Sequence, residues 1–156
     1  MPSGRRGVTL IEMLIVVAII GLLAGITFPS VASGIDSIRL ASASDSIAGF
    51  LNAGLNRSER RQQVVEITIS KAENALTMRS SEPGFYRRIE LPQGVIVVAV
   101  LPEIQPESEA PRRVVLYPGG VAPRIGVEIA NRRGTRRIVR VDPVTGTPQI
   151  ERPEAP

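Results

Sequence analysis

The apolar residues of this chain fall into three patterns: a continuous N-terminal run, an amphipathic stretch and a region of short alternating segments. Residues 8–28 are almost wholly apolar, and a helix of this length rises roughly 30 Å, enough to cross the hydrocarbon of a bilayer. Arg5 and Arg6 precede the run, so the positive-inside rule places the N-terminus in the cytoplasm and sends the remainder outward. The pattern therefore predicts a single-pass segment at residues 8–28.

Beyond Pro29, apolar residues recur at intervals of three and four, which is typical of one face of a helix. The residues of this predicted face are Val31, Ile35, Ile38, Ile47, Phe50, Leu51 and Leu55. We predict one long helix from about residue 9 to about residue 60, in which residues 29–61 are the amphipathic half, with a kink between Gly21 and Pro29. Small residues in the amphipathic half, including Gly54, allow close approach of a sheet.

From residue 62 onward, short segments rich in β-branched residues predict strands separated by turns. The predicted strands cover residues 64–69, 75–78, 87–91, 95–100, 113–117, 125–129 and 136–141. The strand at 95–100 is apolar on both faces, which favours a central position in a sheet. Residues 102–111 predict an acidic, proline-rich flexible loop, and residues 151–156 a loose tail. The predicted fold class is α+β, with a long N-terminal helix packed on an antiparallel, β-rich head at residues 62–156.

The composition argues against the common enzyme classes. The 156 residues include no cysteine and no histidine, which removes disulfide scaffolds, His-based nucleophile systems and the usual zinc or haem ligands. No spacing of acidic residues and no glycine-rich phosphate loop indicates a catalytic site. We therefore expect no enzymatic activity, no cofactor and no metal.

The formal net charge is +4, and arginine is concentrated in the second half of the predicted head. A predicted hairpin turn at residues 131–134 lies among Arg132, Arg133, Arg136 and Arg137. One interpretation is that these arginines are solvated on the wet face of a hairpin. The other is a patch that contacts DNA phosphates with weak sequence preference. Aromatic residues are only 3% of the chain, which favours duplex DNA over stacked single strands.

Glu12 lies inside the apolar run, where a carboxylate costs on the order of 2–3 kcal/mol at mid-membrane and less near an interface. A charge tolerated at the cytoplasmic edge is one explanation. A secretory signal peptide competes as an explanation of the whole run. Against it, the run is longer than the usual apolar region of such peptides, and no Ala-x-Ala-like pattern closes it cleanly.

The segment Gly7-Val8-Thr9-Leu10-Ile11-Glu12-Met13-Leu14 resembles the class III signal of type IV pilins and type II secretion pseudopilins. The resemblance implies that residues 1–7 are a leader, which prepilin peptidase removes between Gly7 and Val8 on the cytoplasmic face. Val8 is then N-methylated. The family usually has phenylalanine at the first mature position, so valine is a departure there.

The same resemblance gives Glu12 a role, because the fifth mature residue of the family is glutamate. Cleavage creates an α-amine at Val8, and Glu12 can pair with that amine on a neighbouring subunit. The pair offsets the desolvation of the carboxylate and fixes the axial stagger between subunits. Gly21 and Pro29 match positions at which the family commonly has a helix-loosening glycine and proline.

The strand-rich head is similar to that of the GspH/FimT-like minor pseudopilins. The matching stretches are Ser58-Glu59 leading into residues 64–69, then Leu116-Tyr117-Pro118-Gly119-Gly120, and finally Thr145-Gly146. The resemblance implies a minor pseudopilin of a type II secretion pseudopilus. Its partners would be prepilin peptidase, other pseudopilins or pilins and the bacterial inner membrane, with the N-terminus cytoplasmic and the head periplasmic. The alternative is a minor type IV pilin that binds DNA in natural transformation or contributes to pilus biogenesis.

Overall fold

The structure, a computed structural model, describes residues 8–103 and 110–153, and for residues 26–33 it describes the backbone alone. The chain falls into two compact units, Met1–Ile35 and Asp36–Pro156. The long predicted helix is present as α1, Leu10–Arg61. Gly7 and part of the predicted loop and tail lie outside the described residues.

The first unit contains the start of α1, and the large apolar side chains that the structure describes there are exposed. From Val8 to Leu23, the large apolar side chains each expose at least 43% of their surface. No helix with described side chains is both long enough and apolar enough to cross a membrane. The helix range includes Gly21 and Pro29, and the kink between them stays a prediction.

In the second unit, α1 contributes one buried face to an aliphatic core. Leu40, Ala43, Ile47, Phe50 and Leu51 are buried there together with residues of both sheets. Their spacings of three and four place them on one side of the helix.

Two residues of the predicted apolar face are exposed instead. Ile35 exposes 44% of its surface and Ile38 exposes 69%. Ile38 is two positions before the buried Leu40, and two positions correspond to about 200° around a helix. The buried face therefore passes through Leu40, which the sequence pattern did not include.

Gly54 confirms the expectation that small residues bring the helix close to a sheet. A Cβ at Gly54 would lie 2.8 Å from Ile67 Cδ1 and 3.2 Å from Leu116 Cδ1. One turn later, the buried Ser58 hydroxyl donates to the Leu116 carbonyl at 3.3 Å. Both contacts join α1 to the same sheet.

The described part of the head contains eight strands in two antiparallel sheets of four. The strands are β1 (Val65–Ser70), β2 (Ala75–Ser80), β3 (Tyr86–Glu90), β4 (Val95–Leu101), β5 (Arg112–Leu116), β6 (Gly126–Asn131), β7 (Arg136–Val141) and β8 (Pro148–Glu151). The first sheet has the order β3-β2-β1-β5, and the second has the order β4-β6-β7-β8. Apolar side chains of both sheets join those of α1 in one buried cluster. The predicted α+β class, with a helix packed on a β-rich head, is confirmed.

Strand β4 lies at the edge of its sheet, so the central position predicted for residues 95–100 is wrong. The Asn74 side chain occupies part of the open edge. Its Nδ2 donates to the Val95 carbonyl at 2.7 Å, and its Oδ1 accepts from the Val97 amide at 2.8 Å. A side-chain amide thus replaces a neighbouring strand at two backbone groups.

Strand β8 was not predicted, because its four residues carry little hydrophobic signal. Pro148–Glu151 contains one large apolar residue, Ile150, which pairs in register with Val139 of β7. The tail predicted to be loose at residues 151–156 therefore begins one residue too early, because Glu151 belongs to this strand.

Candidate assembly segment and arginine hairpin

The start of α1 is capped by a side chain that the sequence interpretation missed. The Thr9 hydroxyl oxygen accepts the backbone N–H of Glu12 at 3.3 Å, and the Thr9 carbonyl accepts that of Met13 at 3.3 Å. Thr9 is therefore the N-cap, and Glu12 is the third helical residue. The Thr-x-x-Glu spacing, typical of a capping box, could have identified Thr9 from the sequence.

Glu12 lies at the helix N-terminus, where the helix dipole stabilises a carboxylate. It lies in the first turn, where unpaired backbone N–H groups give the helix end a partial positive charge. Its side chain is exposed, and it takes part in none of the ion pairs formed among the described residues. Val8, four positions earlier, is 60% exposed. The Glu12 carboxylate and the residue that would carry the predicted α-amine are therefore both accessible on a single chain.

The predicted hairpin between β6 and β7 is confirmed, and Asn131 holds its turn. Asn131 Oδ1 accepts the backbone N–H groups of Arg133 and Thr135, each at 3.0 Å. Gly134 has φ of 80°, in the left-handed region that favours glycine, and its N–H donates to the Asn131 carbonyl at 3.0 Å. These bonds present Arg132 and Arg133 at the tip of the hairpin.

The four arginines proposed to contact DNA divide into two pairs. Arg132 and Arg133 lie in the turn, whereas Arg136 and Arg137 begin β7. Adjacent residues of a strand point to opposite faces of the sheet, so Arg136 and Arg137 diverge. Arg136 Nη1 pairs with Glu128 Oε1 at 2.9 Å, and Arg137 is half-buried. The four do not share one face, and their contact with DNA stays a prediction.

The opposite end of the head contains a groove of about 580 Å³ between the C-terminal part of α1 and two turns. Its most exposed apolar side chains are Tyr117, Val121 and Val144. Glu59 is the one acidic residue among its described lining residues, and its Oε1 accepts the Gly119 N–H at 3.0 Å. Within residues 8–103 and 110–153, no three acidic side chains are grouped to hold a metal ion.

One of the two turns beside this groove depends on an ionised carboxylate. The pKa of Asp142 is lowered, because the N–H groups of Val144 and Thr145 donate to its Oδ1 at 2.7 Å and 3.3 Å. The Asp142 carbonyl also accepts the Gly146 N–H at 2.8 Å. Asp142 thus closes the turn that joins β7 to β8.

Comparison with known proteins gives one result at the N-terminus. A family profile described as the prokaryotic N-terminal methylation motif matches residues 2–28, which include Gly7, Val8 and Glu12. The match supports the pilin and pseudopilin class and indicates a type IV pilin-like precursor. It implies processing by prepilin peptidase and assembly with other pilins in a filament, and so points to a structural subunit. No curated protein and no solved structure matches the chain.

Proposed function

We propose that this chain is a minor pseudopilin of a type II secretion pseudopilus, anchored in the bacterial inner membrane before assembly. The observation that carries the proposal is the methylation motif at residues 2–28 together with the capped helix start that presents Glu12. In this proposal, prepilin peptidase cleaves between Gly7 and Val8, and Val8 becomes the methylated N-terminus. Residues 8–28 cross the inner membrane, and the head lies in the periplasm.

The exposed apolar surface of the first unit supports burial in two successive environments. A helix that is apolar on all sides is stable in lipid or within a bundle of helices. The large side chains from Val8 to Leu23 are all exposed on one chain, so each face can contact either lipid or another subunit. When the helix moves from the membrane to a filament core, its apolar side chains therefore stay buried.

Glu12 provides the specificity that apolar packing lacks. In lipid, an unpaired carboxylate is unfavourable, and the α-amine of a neighbouring Val8 is a cation of the right kind to pair with it. Because the pair forms at one axial offset between two helices, it selects one stagger. Helices that pack through aliphatic side chains alone would have several similar offsets.

A minor type IV pilin that binds DNA is the second candidate, and the exposed Arg132 and Arg133 support it. The ion pair of Arg136 with Glu128 and the opposite orientation of Arg137 weigh against a continuous DNA-binding face. We therefore favour the secretion pseudopilus.

The test is co-purification from detergent-solubilised membranes of a host that expresses the other pseudopilins and prepilin peptidase. We expect Glu12→Gln to remain in the inner membrane and to recover about tenfold less of the partner pseudopilins, because the neutral amide forms no ion pair with the amine. Asp45→Asn is the matched control, because Asp45 is an exposed carboxylate on the same helix. Equal recovery with Glu12→Gln and wild type would contradict the mechanism.

A mobility shift of the full chain in detergent on duplex DNA separates the two candidates. The secretion proposal expects no shift at physiological salt. A micromolar shift that weakens steeply with salt and is lost on changing Arg132, Arg133, Arg136 and Arg137 to Ala would favour the DNA-binding pilin.

A further inference from the structure

The second unit begins at Asp36, and the end of the head around this residue is basic. Arg39, in the first turn of α1 within this unit, is exposed, and its Nη1 donates to the Gln93 carbonyl at 3.4 Å. That bond directs the guanidinium toward the connection between β3 and β4. The Arg39 side chain therefore extends toward the β3–β4 connection rather than along the helix. We call this end of the head its base.

The tip of the β6–β7 hairpin reaches the same end. Arg133 Nε lies 3.7 Å from Asp36 Oδ2, and the Arg132 side chain packs over Gly94, where a Cβ would lie 3.1 Å from its Nε. Gly94 has φ of 87°, so the connection presents bare backbone on which the arginine stem rests. We call these three residues, Arg39, Arg132 and Arg133, the basal arginines.

The basal arginines give this end an excess of positive charge. All three are exposed, and Arg133 forms an ion pair with Asp36. At 3.7 Å, the contact of Asp36 with Arg133 is longer than a charge-assisted hydrogen bond. Arginine suits phosphate oxygens because its planar fork can donate two parallel hydrogen bonds.

Chain connectivity limits how far this basic end can be from a membrane. Asp36 follows Phe28, the last residue of the proposed span, by eight positions. Eight residues reach at most about 29 Å when fully extended, and about 12 Å as a helix. Arginine side chains add further reach, and the potential of an anionic surface extends about 8–10 Å into solution at physiological salt.

We propose that the basal arginines bind the phosphate-bearing headgroups of anionic phospholipids in the leaflet from which residues 29–35 emerge. This inference rests on the proposed function, because it requires residues 8–28 to be inserted in the membrane. The contact holds the base of the head on the bilayer while the subunit waits for assembly. Incorporation into a filament lifts the head from the leaflet and breaks the contact, so lipid charge sets part of the barrier to assembly.

Anionic lipid fits this arrangement better than duplex DNA does. The basal arginines lie near Asp36, where the chain enters the head, and Asp36 is only eight residues from the end of the proposed span. A DNA duplex needs a track of cations along its backbone. The next arginines along the hairpin do not extend one, because Arg136 is paired with Glu128 and Arg137 is on the other face.

The absence of cysteine allows a direct test on the full chain with one fluorophore per protein. Thr135→Cys carries the label beside the basal arginines, and Val144→Cys carries it at the opposite end, where Val144 is 91% exposed. The labelled chain is reconstituted into vesicles of phosphatidylcholine alone or with phosphatidylglycerol, each containing a lipid with a quencher on its headgroup. We expect quenching at position 135 to rise at least about two-fold with phosphatidylglycerol and to fall again in high salt. The label at position 144 should show no such change.

Two charge-matched variants identify the groups responsible. R39Q/R132Q/R133Q should abolish the effect of phosphatidylglycerol at position 135. R60Q/R61Q/R124Q removes the same charge from exposed residues away from the base, and it should keep the effect. Equal loss in both variants would mean that net charge alone draws the head to the lipid, and it would overturn the assignment to the basal arginines.

Flotation of the same vesicles separates failure of this inference from failure of the proposed function. A chain that floats with phosphatidylcholine vesicles after a high-salt wash but shows no response to phosphatidylglycerol keeps the anchor and overturns the lipid site. A chain that does not float overturns both. If duplex DNA added to phosphatidylcholine vesicles changes the label at position 135 and phosphatidylglycerol does not, the basal arginines bind nucleic acid instead.

Discussion

Gly54 lies where α1 packs closely against the first sheet, and a side chain there would displace the ends of buried neighbouring side chains. We expect Gly54→Val to destabilise the head by about 1–3 kcal/mol, because its branched side chain would overlap the ends of Ile67, Leu116 and Met78. Gly49→Val is the matched control on the same helix, since no atom lies within 4 Å of a Cβ at Gly49. Urea unfolding of both variants in detergent measures the difference. Equal unfolding midpoints would contradict the packing.

Asp142 should make the turn between β7 and β8 sensitive to acid. Its pKa is lowered in the folded chain, so its stabilising contribution is present above its unfolded pKa and is lost as the pH falls through the folded pKa. Amide exchange in residues 142–147 should therefore accelerate, relative to the exchange of an unfolded peptide, below about pH 4. Asp142→Asn keeps an acceptor oxygen without titrating, and its protection should not show this loss. An identical pH profile for both proteins would exclude Asp142 as the cause.

Strand β4 shows how a side chain can protect a sheet edge. Asn74 satisfies the Val95 carbonyl and the Val97 amide, so its loss leaves two backbone groups of the edge without protein partners. We expect Asn74→Gly, which tolerates the φ of 51° at this position, to raise the exchange rate of the Val97 amide by about tenfold, equivalent to one hydrogen bond. The Ile129 amide on central strand β6 provides the internal reference. Unchanged exchange at Val97 would show that Asn74 does not protect the edge.

The elements with strong periodicity were predictable, and those defined by long-range pairing were not. Helix α1 and the hairpin around Gly134 follow from local patterns in the sequence. The edge position of β4 could not be predicted, because the apolar residues of 95–100 suit a central strand and the edge is completed by Asn74, more than twenty positions away. Strand β8 exists through pairing with β7, with Ile150 as its one large apolar residue. In the N-terminal segment, the role of Glu12 was predicted from its position relative to Gly7. The N-cap Thr9 was missed, although its spacing of three from Glu12 could have identified it.

At the scale of the whole molecule, the two units differ in how much apolar surface they bury. Asp36–Pro156 closes an aliphatic core with its own helix segment and sheets. Met1–Ile35 leaves its described apolar side chains exposed and carries the methylation motif. This division fits the proposed function, in which the N-terminal segment becomes buried in lipid or in a filament.

The central claim is that the chain is a pilin-like precursor processed between Gly7 and Val8, and intact-mass analysis of the protein from a host with prepilin peptidase tests it most directly. We expect a mature chain that begins at Val8 and carries one added methyl group. Gly7→Leu should leave the leader attached, whereas Gly4→Leu, the matched change within the same leader, should be processed normally. A mature N-terminus near residues 25–30, as left by an ordinary signal peptidase, would contradict the account.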